Sequence, residues 1–199
     1  MKILIDNGHG EETPGKRSPD GLLREYLYTR EIAAKIVNEL KEHGYDAELL
    51  VPEARDIPLS ERARRANEWC GKLGKDAVLL VSVHCNAAGN GAWMNARGWS
   101  AYTSKGKTKS DELATMLYEV AEANFHKQKI RKDMSDGDPD WEESFYILCK
   151  TKCAAVLTEN FFQDNKEDVS YMLSSEGRTQ IVKTHIDGII KYVDKYGKA

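Results

Sequence analysis

Residues 77–83 (Ala-Val-Leu-Leu-Val-Ser-Val) contain a single polar side chain, Ser82. A strand with one wet face alternates apolar and polar residues, whereas an unbroken apolar run reads as a strand covered on both faces. Such a strand needs helices above and below it, which favours an α/β architecture over a bundle or a two-sheet sandwich. The rest of the chain offers those layers. Residues 24–43 read as an amphipathic helix, with Leu27, Ile32, Ile36, Val37 and Leu40 at helical spacing and Gly44 where a helix stops. A second helix is expected over residues 60–73, with Ser60 as its cap and Leu59 as a hydrophobic staple. A third opens at Ser110 with Asp111 and Glu112 in its first turn, and a last one near Ser175 turns Val182, Ile186, Ile189, Ile190 and Val193 inward.

Further strands are expected over residues 2–6, 46–51, 98–103, 144–149 and 154–158. The fold class expected is therefore α/β: one domain over residues 1–199, a mixed, mostly parallel central sheet flanked by helices. A chain of 199 residues is long enough for one sizeable core. Residues 7–21, 86–97 and 132–143 are irregular and longer than the usual connection, which marks them as functional or mobile loops.

Charge narrows the partners. Twenty-nine basic residues against 32 acidic ones leave a net charge of −3 with no Lys/Arg block, so nucleic acid is not expected as a partner. The apolar runs are too short to span a bilayer, so no membrane insertion is expected. After Met1 the chain enters the strand at 2–6 at once, and no signal peptide is visible. Cys70, Cys85, Cys149 and Cys153 form no CxxC pair and read as reduced, mostly buried side chains. His43, His126 and His185 fall in or at the ends of helices and read as structural or surface residues.

Three strands run into groups able to bind a metal or move a proton: Asp6-Asn7-Gly8-His9-Gly10, Ser82-Val83-His84-Cys85-Asn86 and Leu157-Thr158-Glu159-Asn160. If these strands are parallel neighbours, His9, His84 and Glu159 converge at their carboxyl edge, where open α/β sheets bind ligands. Glu25 begins the first helix, where the helix dipole favours a carboxylate. Two imidazoles and a carboxylate make a catalytic zinc set with a position left for water, and Glu159 would be the base. Each residue also has an ordinary structural reading, and periodicity alone leaves the site open.

The same residues resemble the N-acetylmuramoyl-L-alanine amidase family of the Amidase_3 type. The family's strand running into Asp-Pro-Gly-His-Gly is similar to Ile3-Leu-Ile-Asp-Asn-Gly-His-Gly10, and its helix-starting Glu followed by Ala is similar to Glu25 and Ala33. Leu59-Ser-Glu-Arg62 with Ala66-Asn67, Ser82-Val-His-Cys-Asn-Ala87 and Leu157-Thr-Glu-Asn-Phe-Phe162 follow in the family's order. The resemblance covers nearly the whole chain. It implies Zn2+ held by His9, Glu25 and His84, catalysis by Glu159, and hydrolysis of the amide between N-acetylmuramic acid and L-alanine in peptidoglycan. The alternatives are a zinc hydrolase of a different amide, or a non-catalytic peptidoglycan-binding module on the same fold.

Asn7 stands where the family usually has Pro, and Glu11 where a second Gly is common. Lys16 and Arg17 are candidates to meet a stem-peptide carboxylate, and Asn86 to touch substrate or orient a ligand. Trp93, Trp99 and Trp141 are candidates to stack on sugar rings, with core packing as the alternative. The expected place of action is the cell wall, reached either as an endolysin released from the cytoplasm or as a secreted amidase whose signal was trimmed.

Overall fold

The computed structural model describes residues 1–197; the last two residues of the expected 1–199 domain lie outside the described residues. Six strands form one sheet in the order β2-β1-β3-β6-β4-β5: β1 (Lys2–Asn7), β2 (Asp46–Leu49), β3 (Val78–Asn86), β4 (Ser100–Thr103), β5 (Trp141–Glu142) and β6 (Ala154–Phe162). The strands β2, β1, β3 and β6 are mutually parallel, while β4 runs antiparallel to β6. The sheet is thus mixed and mostly parallel, as expected.

The unbroken apolar run of β3 is explained by what covers it. Leu79, Val81 and Val83 enter a core with Ile32, Ile36 and Leu40 of α1 (Glu25–Glu42), Leu113 and Leu117 of α3 (Lys109–Asn124), and Ile181 and Ile189 of α6 (Ser175–Tyr196). Val78 and Leu80 enter a second core on the other face, with Ala63 and Ala66 of α2 (Leu59–Leu73) and Ile147 and Leu148 of α4 (Tyr146–Lys150). Each fully buried aliphatic side chain contributes about 1.5–3 kcal/mol relative to exposure. Helices α3 and α6 pack closely at Gly188, where a Cβ would lie 2.6 Å from Leu117 Cδ2.

Several local expectations are corrected. Residues 144–149 are not a strand: α4 starts at Tyr146, and Ile147 and Leu148, adjacent in sequence, are both buried in the same core. A strand would send neighbours to opposite faces, and β6 already has a partner on each side. Ser60 does not cap α2, which begins at Leu59 behind Pro58 with no side-chain cap. Leu59 is 51% exposed and staples nothing, and Leu27, placed on the apolar face of α1, is 53% exposed. Thr108 caps α3 ahead of Ser110, in a reciprocal box with Asp111. The short strand β5 interrupts the loop expected over 132–143, β2 ends at Leu49, and helix α5 (Lys166–Leu173) was not expected, although Asn165 caps it and Glu167 and Asp168 stand in its first turn. Finally, β3 and β6 continue through His84 and Glu159, so these two lie within strands rather than after them.

Candidate metal centre

Sheet order brings the three strand segments together. β1 and β6 lie on either side of β3, and His84 is in register with Glu159 across the β3–β6 pair. Past β1 the chain stays docked, since Gly8 N–H donates to Val83 O at 2.9 Å. His9 itself takes a left-handed backbone conformation, φ 61°. Its neighbouring glycines are required by space rather than by turn geometry. A Cβ on Gly8 would lie 2.6 Å from His84 Nδ1, and one on Gly10 would lie 2.1 Å from the Asp56 backbone nitrogen.

Glu25, the first residue of α1, completes the cluster. Its Oε1 stands 3.5 Å from His9 Nε2 and 3.4 Å from His84 Nδ1, and the three ligand atoms lie within 4.8 Å of one another. The carboxylate is fully buried and held from behind: Cys85 N–H donates to Oε1 at 2.9 Å and Gln163 Nε2 to Oε2 at 3.1 Å. Burial raises the Glu25 pKa, but the two imidazoles and the Cys85 N–H outweigh it and hold the group below its usual value. Burial, with His84 and Lys16 nearby, lowers His9 to about 4 despite Glu25, so its ring is neutral at pH 7. Glu159 is raised to about 8 by burial and by Glu25, against the opposing pull of His84, and its Oε2 is buried without a partner.

Two residues without an assigned role support this geometry. Arg62 of α2 is 2% exposed and grips the end of β1. It pairs with Asp6 Oδ1 at 2.7 Å and donates to Asn7 O, to His9 O at 3.2 Å and to Ile57 O at 2.8 Å. Asp6 also accepts from Ser82 Oγ, which ties β1 to β3 beneath the site. Arg62 belongs to the Leu59-Ser-Glu-Arg62 stretch, but nothing in its helical spacing predicts its burial. Gln163, the other, lies just past β6 and carried no local signal at all. Asn7 donates to Val51 O at 3.0 Å, a bond that a proline at this position would not make.

A cleft of about 610 Å³ opens over these groups. Lys16 and Asn86 line it, as do Phe145, Tyr146 and Ile147 on an apolar wall. Arg17 is not among the lining residues; its backbone bridges to Arg24 instead. Of the tryptophans, Trp99 is buried in the core with its Nε1 donating to Asn160 Oδ1, while Trp93 and Trp141 pack partly buried and none lines the cleft. His185 is buried on α6, and His43 and His126 are exposed. Cys70, Cys85 and Cys153 are buried and Cys149 is exposed.

Among curated relatives, an N-acetylmuramoyl-L-alanine amidase of Bacillus licheniformis, CwlM, is 28% identical over 96% of this chain and 68% of its own length. The endolysin of Bacillus phage SPP1 is 26% identical over 96% of this chain and 66% of its own length, so the chain spans about two thirds of such relatives. The crystal structure of an N-acetylmuramoyl-L-alanine amidase from Clostridium difficile 630 superposes with a TM-score of 0.79 at 25% identity, covering 97% of this chain and 96% of that one. The model of the Amidase_3 family, described as N-acetylmuramoyl-L-alanine amidase, matches residues 3–191. With that match along nearly its whole length, and with the family's fold, this chain belongs to the N-acetylmuramoyl-L-alanine amidase family of enzymes.

Proposed function

We propose that the chain is a zinc-dependent hydrolase of the amide joining the lactyl group of N-acetylmuramic acid to L-alanine of the peptidoglycan stem peptide. The observation that carries this reading is a fully buried carboxylate, Glu25, facing two imidazole nitrogens at 3.4–3.5 Å beside a fourth group, Glu159. The donor set fits zinc: nitrogen and carboxylate ligands, three in number, converge with Gln163 and Cys85 N–H orienting the carboxylate from behind. When bound, zinc supplies Lewis acidity, which acidifies water and polarises a carbonyl.

The remaining work falls to side chains. His9, neutral at pH 7, is ready to act as a ligand without first losing a proton. Glu159 carries an unpartnered buried oxygen; mostly protonated at pH 7 as the site stands, it would ionise beside a bound dication and then serve as the base that takes the proton of water and returns it to the leaving amine. Lys16 meets a carboxylate of the stem peptide at the cleft rim, and Asn86 contacts substrate from the end of β3. Arg17, outside the cleft lining, is the weaker candidate for that contact. The phenyl and phenol rings of Phe145 and Tyr146 offer an apolar wall to the sugar. The place of action is the cell wall, in lysis or remodelling. No described helix is long and apolar enough to cross a membrane.

The reading is tested by digesting purified peptidoglycan with and without a chelator and weighing the products. Free stem peptides beginning with L-alanine, released only when zinc is present, support it. Products with the lactyl–alanine amide intact overturn it, and so does release that survives full metal removal.

A further inference from the structure

Beyond Glu159, the metal end of the sheet carries a guanidinium with no assigned role. Ser100 of β4 stands opposite Glu159 of β6, and residues 130 and 131 lie along the far side of β4. Ile130 bridges to Trp99, and Arg131 N–H donates to Trp99 O at 2.8 Å. Adjacent strands lie about 4.8 Å apart, which sets the Arg131 backbone about 10 Å from that of Glu159. The Arg131 guanidinium stands over the ring of Phe162 at 5.1 Å and over that of Trp141 at 5.2 Å. Phe162 is opposite Asn86 in the β3–β6 pair, and Asn86 lines the cleft. From Trp141 a run of rings leads back to the same cleft, with Tyr102 6.4 Å from Trp141 and 5.5 Å from Phe145.

Arg131 is half-buried, and among the described residues its guanidinium makes no ion pair and no hydrogen bond. Arg62, Arg64, Arg65 and Arg97 each meet a carboxylate. Acids stand close by in sequence to Trp141 but serve other groups: Asp140 accepts from Thr103 Oγ1 at 2.6 Å, and Glu142 from Gly106 N–H at 2.7 Å. Two aromatic rings therefore hold the guanidinium while its N–H donors are left to a ligand. An arginine fork of this kind matches a carboxylate, which accepts two parallel N–H bonds from it. His84, Lys16 and Arg131 all oppose the rise that burial gives Glu159, so the guanidinium acts within electrostatic reach of the site. Lys16 follows β1 and Arg131 lies past β4, so the two cations come from opposite sides of the β3–β6 pair.

We propose that Arg131 binds a carboxylate of the peptidoglycan stem peptide, two or three residues along from the scissile amide, and so selects substrates that carry it. The proposal takes its substrate from the amidase reading of the metal centre. An extended residue spans about 3.3–3.6 Å, so about 10 Å corresponds to two or three stem residues laid across β6 and β4. Free carboxylates occur in that stretch at the α position of a γ-linked D-glutamate and at the far end of a diaminopimelate. The rings of Phe145, Tyr102 and Trp141 line the way from the cleft to Arg131.

The test gives the zinc-loaded wild type and Arg131→Gln three N-acetylmuramoyl tetrapeptides. The first carries L-alanine, γ-linked D-glutamate, diaminopimelate and D-alanine; the second has the glutamate α-carboxylate amidated; the third has lysine for diaminopimelate, which removes only the far carboxylate. Loss of the recognised carboxylate should lower wild-type kcat/KM about tenfold or more, chiefly through KM. A loss on the second substrate assigns the glutamate, and a loss on the third the diaminopimelate. Arg131→Gln should show the same loss on the first substrate and no further loss on the others. Calorimetric binding of the free tetrapeptides should follow the same pattern without turnover. Arg131→Lys keeps a cation against both rings, and should keep the wild-type Tm while discriminating less than the wild type, which a purely structural bracket would not do. The proposal is overturned if the wild type does not discriminate in cleavage or in binding, or if Arg131→Gln discriminates as the wild type does. If binding depends on Arg131 and the carboxylate while the lactyl–alanine amide stays intact in every substrate, the amidase reading fails and the role of Arg131 stands.

Discussion

At the residue scale, the site separates groups that hold from groups that react. Glu159→Gln keeps the shape of the side chain and removes the proposed base. It should leave zinc content unchanged and lower peptide release about 10²–10⁴-fold, whereas His9→Ala should lose both, as metal analysis beside a release assay will tell. Gln163→Leu removes the donor that fixes Glu25 Oε2. Zinc affinity should fall about 10–100-fold, read by competition with a chromogenic chelator, with Tm of the metal-free protein little changed. Arg62→Met leaves Asp6 buried without its partner and frees the carbonyls of Asn7 and His9. Breaking a buried pair from one side costs about 3–5 kcal/mol, so the urea midpoint should drop markedly; a loss under about 1 kcal/mol would contradict the role given to Arg62. Glu159 is readable as a charge just past an apolar run and His84 as an imidazole where a buried strand is expected to end, but Arg62 and Gln163 are not. Their importance comes from partners more than 50 residues away in sequence.

At the scale of elements, the turn after β1 is the most constrained piece. Gly10→Ala would put a methyl within 2.1 Å of the Asp56 backbone, which cannot yield as a side chain can. That loop must move and carry His9 with it. Zinc binding should weaken at least about tenfold and Tm should fall, a loss of about 1–3 kcal/mol by analogy with overpacking; calorimetric melting with and without zinc separates the two effects. Helix α4 teaches the limit of reading short apolar runs. Residues 144–149 have the composition of a strand, yet Tyr146–Lys150 is a helix because both edges of β6 are occupied and two adjacent side chains enter one core. Local composition cannot tell which edges of a sheet are free.

At the scale of the molecule, pH acts on stability through His185, which bridges α6 and β6. Its Nδ1 lies 2.7 Å from Ile181 O and so must donate, which leaves Nε2 to accept from Thr158 Oγ1 at 2.8 Å in the neutral ring. Burial lowers its pKa to about 4. The unfolded chain protonates this ring near its ordinary value of about 6.5 while the folded chain does not, so stability falls as pH drops from about 6.5 to about 4. At about pH 5 the loss from this group is about 2 kcal/mol. His185→Gln should lose less stability than the wild type between about pH 7 and about pH 5, and equal losses would sink the assignment. The sequence by itself determined the α/β class, the two-sided burial of β3 and His9, His84 and Glu159 as candidates, because period and residue chemistry are local properties, while Glu25 took its place from the family resemblance. Only the tertiary structure decided that Glu25 reaches two imidazoles at 3.4–3.5 Å and that Arg62 and Gln163 brace them. It also decided that Lys16 lines the cleft and Arg17 does not. The reason is physical: distances between side chains far apart in sequence are fixed by strand order and packing, which no local window contains.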